Sequence, residues 1–598
     1  MRIKLTLAAS TLALGLAMAG TASAQTYGRI ITFGDSLSDS GNLYAAVGNP
    51  VSPPYYQGRF SNGPVWVELL GWTQARVGGS VTGSYNGAYA GARTDNTIGF
   101  PPGIQDQIGA YGLAGGVYGA SDLVTLWGGA NDLIQGLPAA AISADPFTAI
   151  STTATTAALQ MGNRVNSVAS AGAGTILVAN LPNLGTTPQF RGTSAQPLTT
   201  QATNVFNTAL YSQMVNQAAL HPTTNIIFMD VNRAFNVLLA APDRFGFTNV
   251  TNTCLFGVTI CATPDTYVFW DGIHPTAAGH RLLASIATDY LYYLDFGAHS
   301  ALQAEIGVRA RSDGMDAVMG RLGYAGSFEQ PGGLYAGISY DQTDFDARGA
   351  IPDGDMTGGT LIFGAEGDVT PGLRAGAAMQ LRTGDAEVGL VNFTAEGASL
   401  DAYMGWREGS FFVNAAAGYS WDQFDDIRRQ TATPGVVALG TTEGSTFGAK
   451  AEAGMNFDMG GLAVIPRVGV SWVSTTVDGY AEENAFGAQH EVNQRSIDAV
   501  SAEAVLRFEG GAGGVSFWGE GGYRDVISHD GDPVVIGLAG NTALPLALDA
   551  GDPDGGQALL GAGLSTQLGV AEVSIGYRGR MGESYTSHQG GIEVTVRF

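Results

Sequence analysis

Residues 29–42 read RIITFGDSLSDSGN. The first five are a near-continuous apolar run, the pattern of a strand covered on both faces, and the turn-rich GDSLSDSGN follows at once. Three further runs have the same texture: DLVTLW (122–127), GTILVAN (174–180) and NIIFMD (225–230). Between them lie longer Ala-rich or amphipathic stretches. One of these, PFTAISTTATTAALQMGNRVNSVASAG (146–172), has the length and apolar spacing of a crossover helix. The alternation predicts an α/β domain with a parallel sheet from about residue 29 to 298. Ser36 is then expected where the first strand ends and a helix begins, its hydroxyl exposed and backbone N–H groups aimed at incoming negative charge. The competing role for such a serine is a plain helix N-cap.

Near residue 325 the texture changes: Gly becomes frequent, and segments of about ten residues alternate strictly between apolar and polar, as the strands of an outer-membrane barrel do. In the final segment Ile592, Val594, Val596 and Phe598 share one face, while Glu593, Thr595 and Arg597 share the other. The same split separates Leu400, Ala402, Met404 and Trp406 from Asp401, Tyr403 and Gly405, and Ala571, Val573, Ile575 and Tyr577 from Glu572, Ser574 and Arg578. One face suits lipid and the other a wet lumen. Twelve strands are expected, starting near 333, 357, 373, 398, 410, 444, 461, 495, 513, 556, 569 and 584. Brief turns such as REGS and DMGG alternate with long polar loops at about 421–443, 475–494 and 529–555. An even strand number places both barrel ends in the periplasm, so an N-terminal domain outside the cell must be reached through the lumen. The stretch HSALQAEIGVRARSDGMDAVMGRLG (299–323) suits that passage: it is compatible with a helix yet carries Glu305, Arg309, Arg311, Asp313, Asp316 and Arg321. A solvated linker helix outside the barrel is the alternative.

The remaining features bound the function. With 598 residues the chain is long enough for at least two folded units. Arg2 and Lys4, the uncharged LTLAASTLALGLAMAG and then Ala22-Ser23-Ala24 read as an export signal over residues 1–24. Beyond it no apolar run reaches the length of a membrane helix. A net charge of −25 excludes a nucleic-acid surface. Lys4 and Lys450 are the only lysines, so a lysine nucleophile in the exported N-terminal half is excluded. Cys254 and Cys261, an even pair close in sequence in an exported chain, read as one small disulfide loop. The surrounding TNTCLFGVTICAT offers no histidine for zinc.

The motif DGIHPT (271–276) sets Asp271 three residues before His274, a spacing that lets a carboxylate orient an imidazole, which can in turn take a proton from Ser36. The other histidines of this half are His221, expected in a loop, and His280 and His299, expected to face solvent. Transition-state charge also needs preorganised donors. WGGAND (127–132) supplies the Asn131 amide, NGAYAGA (86–92) supplies Gly91, whose backbone a ligand can approach closely, and the Ser36 N–H completes the set. Asp35, Asp39 and Asp132 are read as carboxylates that cap backbone N–H groups.

The blocks GDSLSDSGN, NGAYAGA, GAND and DGIH, in this order, resemble those of the GDSL or SGNH hydrolases over residues 29 to about 298. The C-terminal half resembles an autotransporter translocator, and the combination is similar to the EstA-type autotransporter esterases. The resemblance implies an α/β/α flavodoxin-like sandwich of about five parallel strands. It further implies Ser36 as nucleophile, His274 as general base, Asp271 as its orienting partner, an oxyanion hole of Ser36, Gly91 and Asn131, and neither metal nor cofactor. The GxSxG elbow of α/β-hydrolases is absent around Ser36.

The expected division is a signal peptide 1–24, an esterase passenger 25–298, a lumen helix 299–325 and a barrel 326–598. The expected activity is hydrolysis of a lipophilic acyl ester at the cell surface by a monomer. The barrel would sit in outer-membrane lipid, placed there by the periplasmic export and outer-membrane insertion machinery. Thioesterase, lysophospholipase and sugar deacetylase activities would use the same residues and stay open. A noncatalytic adhesin is the rival from another class, although no internal repeat of the kind common in such passengers is present.

Overall fold

The computed structural model describes residues 27–70, 75–76, 80–291, 299–324, 332–348, 351–485, 488–538, 541–548 and 555–597. The export signal, Phe598 and the expected boundaries at 298 and 325 lie outside these residues.

In the N-terminal half the apolar runs form a parallel sheet of β1 (Arg29–Gly34), β2 (Ala75–Arg76), β3 (Tyr85–Asn86), β4 (Asp122–Trp127), β5 (Thr175–Ala179) and β6 (Asn225–Met229), in the order β2-β3-β1-β4-β5-β6. All four strands expected from sequence are present, and the short β2 and β3 extend the sheet at one edge. Ile30, Ile31, Phe33, Leu123, Val124, Leu126, Ile176 and Val178 are almost wholly buried, because helices cover both faces. The expected crossover helix runs Pro146–Ser170, capped by Asp145, which accepts from the Thr148 N–H at 3.1 Å. The chain winds to one side of β1 through β3 and to the other through β4. The crevice beyond the carboxyl ends of β1 and β4 is therefore a switch point, the usual ligand position in such sheets.

The C-terminal half is a closed antiparallel barrel of twelve long strands, from Gly333–Phe345 to Tyr585–Arg597. The last strand closes on the first in continuous register, from Gly333 opposite Arg597 to Phe345 opposite Tyr585. Apolar side chains of the alternating segments, among them Leu400, Met404, Trp406, Ile575, Ile592 and Val594, are exposed on the outer face, whereas Asp401, Tyr403 and Thr595 are buried inside. The long loop expected at 421–443 is largely β-structure instead, whereas the one expected at 475–494 carries two short strands, Tyr480–Ala481 and His490–Val492. Strands Phe411–Gln430 and Val437–Met455 pair through Gln430 and Val437, leaving only 431–436 as a turn. Parts of 480–492 and 534–548 form a separate four-stranded sheet. The strands continue past the lipid-facing band, where the apolar signal of the outer face ends but backbone pairing does not.

The helix His299–Arg321 occupies the lumen. Near its start the Ala301 carbonyl accepts from Arg495 Nη1 at 2.9 Å, and near its end Arg407 Nη2 donates to the carbonyls of Leu322 and Gly323. Each of its six charged residues named above meets a partner on the barrel: Glu305 with Arg348, Arg309 with Asp341, Arg311 with Asp401, Asp313 with Arg580, and Arg321 with Glu366 and Glu593. Asp316 lies within 2.6–2.8 Å of Lys450, Arg524 and Arg580 together. Gly307 lets the helix approach the wall, since a Cβ there would stand 2.8 Å from Thr475 Oγ1 and 2.9 Å from Thr446 Oγ1.

The passenger rests on the barrel's outer end. Asp289, in helix Ala277–Leu291, accepts from the Ala432 N–H at 2.5 Å and the Thr433 hydroxyl at 2.8 Å, and Arg244 donates to Asn484 Oδ1 at 2.6 Å.

Replacing Asp316 by Ala removes the one anion common to Lys450, Arg524 and Arg580, leaving Glu503 to the first two and Asp313 to the third, and should destabilise the barrel by about 1.5–3 kcal/mol. The check is the temperature at which the folded band converts to the unfolded one in semi-native gel electrophoresis. An unchanged midpoint would contradict the assignment.

Candidate active site

β1 ends at Gly34, where a side chain would strike the Trp127 carbonyl at 2.6 Å, so the loop that carries Ser36 can lie against the end of β4 only with Gly at this position. The Gln107 amide clasps Gly34 in both directions at 2.9 Å. Ser36 follows on a tight turn in which the N–H groups of Ser38 and Asp39 both donate to the Asp35 carbonyl. The sequence suggested that a helix begins directly at Ser36. The structure instead places the short helix Asn42–Val47 after the turn, so Ser36 stands in a turn and not at a helix N-terminus.

Asp39 holds this turn by accepting from the N–H groups of Gly41, Asn42, Leu43 and Ala90. Asp132 does the same for Thr94 through its N–H and hydroxyl. Asp35 is fully buried, and desolvation pushes its carboxyl up to about 6 against the N–H bond from Leu37.

The loop after the strand Tyr267–Phe269 carries Asp271 and His274. The N–H groups of Ile273 and His274 donate to Asp271 Oδ1 at 3.0 and 2.9 Å, and the Trp270 N–H donates to the His274 carbonyl at 2.8 Å, which closes the loop. His274 Nδ1 lies 2.7 Å from Asp271 Oδ2, and His274 Nε2 lies 2.9 Å from Ser36 Oγ. Residues 238 positions apart in sequence thus form one hydrogen-bonded line. Burial alone would raise the Asp271 carboxyl, but the charge and hydrogen bond of His274, with the two loop N–H groups, hold it at about 2. Asp271 therefore stays ionised and fixes the imidazole so that Nε2 faces the serine.

Asn131 stands in the first turn of the helix Ala130–Ala141, directly after β4, and its Nδ2 donates to the Ala92 carbonyl at 3.0 Å. Gly91 sits at φ 81°, a left-handed conformation that glycine adopts without strain, and a Cβ there would approach Pro101 at 3.2 Å. Ser36, Asn131 and His274 line one cavity of about 90 Å³. Asp35 and Thr187 also line it, and the rest of the wall is apolar, including Leu181, Val231, Phe235, Leu238, Leu282 and Ile286. Gly91 is not part of that wall.

Two contributors were not legible in the sequence. The Tyr55 hydroxyl donates to Asp271 Oδ2 at 2.8 Å, and its ring packs edge-on against Trp270. The Phe60 ring lies 4.9 Å from the His274 imidazole. Burial, followed by the Asp271 charge, raises the Tyr55 phenol, which remains a donor. His280 corrects an expectation: it is wholly buried rather than solvent-facing, because its helix packs that face on the turn Trp66–Leu70. Its Nδ1 accepts from the Trp66 N–H, and desolvation, aided by His274, lowers it to about 3. His221 lies 2.8 Å from Asn166 Oδ1, remote from the site, and the His299 side chain is outside the described residues. Cys254 and Cys261 are joined by a disulfide.

Comparison with known proteins adds the relatives. Residues 30–287 match the family described as GDSL-like Lipase/Acylhydrolase, and residues 334–579 match the Autotransporter beta-domain. The phosphatidylcholine-sterol acyltransferase of Aeromonas hydrophila is 33% identical over 321 residues, covering 44% of this chain and 90% of that protein. Esterase EstA of Pseudomonas aeruginosa is 24% identical over 99% of both chains. Among solved structures, the translocator domain of autotransporter NalP from Neisseria meningitidis aligns with 50% of this chain and 96% of its own length, at 18% identity and a TM-score of 0.41.

Tyr55→Phe removes a hydrogen bond to a charged acceptor, a contact worth about 1.5–3 kcal/mol. It should lower kcat on a soluble ester by about tenfold while leaving KM unchanged. Steady-state kinetics of the two forms provide the check, and a rise in KM at constant kcat would place Tyr55 in substrate binding instead.

Proposed function

Because the chain belongs to the GDSL-like lipase/acylhydrolase family, with an autotransporter β-domain behind its catalytic half, we propose that Ser36, His274 and Asp271 hydrolyse lipophilic acyl esters through an acyl-serine intermediate. The protein is a carboxylic ester hydrolase that its own outer-membrane barrel displays. The observation that carries the residue assignment is the line from Ser36 Oγ through His274 to Asp271, opening on an apolar cavity.

His274 Nε2 removes the Ser36 proton as Oγ attacks the ester carbonyl, and ionised Asp271 stabilises the imidazolium. The developing oxyanion is met by the N–H groups of Ser36 and Gly91 and by Asn131. Because one Nδ2 hydrogen of Asn131 is held by Ala92, the plane of the amide is set and the second hydrogen is left for the substrate. His274 then protonates the leaving alkoxide, and afterwards takes a proton from the water that attacks the acyl-serine. The acyl chain enters the cavity lined by Leu181, Phe235, Leu238 and Ile286, which favours a fatty-acyl ester over the acetyl group of a surface sugar. The protein works as a monomer embedded in outer-membrane lipid, assembled there by the periplasmic export and outer-membrane insertion machinery.

Ser36→Ala should abolish turnover of a chromogenic acyl ester by intact cells, a loss of about 10⁴-fold or more, with surface display unchanged by antibody labelling. Asn131→Ala should lower kcat by about 10² to 10³. Equal activity of the wild type and the Ser36 variant would overturn the mechanism.

A further inference from the structure

Beside the active site stands a feature that the reaction does not use. The disulfide Cys254–Cys261 closes a hairpin of two-residue strands, Leu255–Phe256 and Thr259–Ile260, turning at Gly257 with φ 61°. Cys254 and Leu255 point inward onto Trp270. The other apolar side chains point outward: Phe256 is 82% exposed, Val258 89% and Ile260 47%. A hairpin this short does not hold itself together in water, and hydrophobic burial favours collapsing such side chains onto the body. The cross-link opposes that collapse and keeps them extended.

The hairpin is joined rigidly to the catalytic loop. The Cys254 N–H donates to the Phe269 carbonyl at 3.0 Å and the Leu255 N–H to the Trp270 carbonyl at 2.7 Å, and the next residue in the chain is Asp271. Tyr55, which bonds to Asp271, packs on the same Trp270. No residue from Thr253 to Thr263 is charged, and the first charge beyond, Asp265, is paired with Arg281 at 2.9 Å. A surface adapted to anionic lipid carries Lys and Arg. This one has neither, on a chain of net charge −25.

Resting on the assignment of Ser36 above, we propose that the hairpin is a docking finger for the surface of a neutral or zwitterionic lipid assembly. Phe256, Val258 and Ile260 enter the apolar layer and hold it beside the loop that carries Asp271 and His274. The acyl chain then passes from the assembly to the cavity with little exposure to water.

The test uses cells displaying the full chain and two substrates: a short-chain ester dissolved as monomer, and a fluorogenic fatty-acyl ester carried in phosphatidylcholine vesicles. The variant Phe256→Ser, Val258→Ser, Ile260→Ser should retain its rate on the dissolved ester, which also reports correct folding, and lose about tenfold or more on the vesicles. Cells bearing Ser36→Ala should still capture the vesicles although they hydrolyse neither substrate, whereas the triple variant should not capture them. Adding phosphatidylglycerol to the vesicles should slow the wild type. Equal loss on both substrates, unchanged vesicle turnover, or faster turnover on anionic vesicles would overturn the finger. Hydrolysis surviving in Ser36→Ala would overturn the site assignment separately.

Discussion

A charge buried inside a membrane-spanning barrel must be answered by an opposite charge or by aimed polar groups, and this constraint organises the C-terminal half of the chain. The lumen helix presents six charged residues to a wall that supplies a partner for each, with Asp316 shared by Lys450, Arg524 and Arg580. The pairs fix the rotation of the helix and its height in the barrel. Its upper end, near Ala301, emerges at the level of Arg495, directly below the passenger. The passenger's last helix then reaches the barrel's outer turns through Asp289, Ala432 and Thr433. Anchor, conduit and enzyme are mechanically continuous.

In the passenger, two loops at the carboxyl side of the sheet are each tightened by their own carboxylate. Asp39 gathers four N–H groups around the nucleophile turn, and Asp271 gathers two around its own loop before it meets His274. The serine and the imidazole therefore arrive at 2.9 Å as parts of rigid loops, which leaves little reorganisation for the reaction step.

The strands of both halves were legible because their signals are strong and local: continuous apolar runs for RIITF and DLVTLW, strict alternation for 398–406 and 571–578. The juxtaposition of Ser36, His274 and Asp271 was legible because their residue types are few and their motifs compact. What escaped depends on tertiary packing. Tyr55 is one of many tyrosines until the fold brings it against a carboxylate 216 positions away. His280 looks like a surface residue until its helix is seen to pack on Trp66. Polar stretches such as 421–443 read as loops because the apolar outer face ends there, although antiparallel pairing continues well above it.

Ser36 and His274 stand 238 positions apart in the sequence. The lumen is occupied by the helix His299–Arg321, and the passenger stands outside it. Neither end of the passenger alone contains both Ser36 and His274. The hydrogen bond between them exists only once the whole passenger has folded.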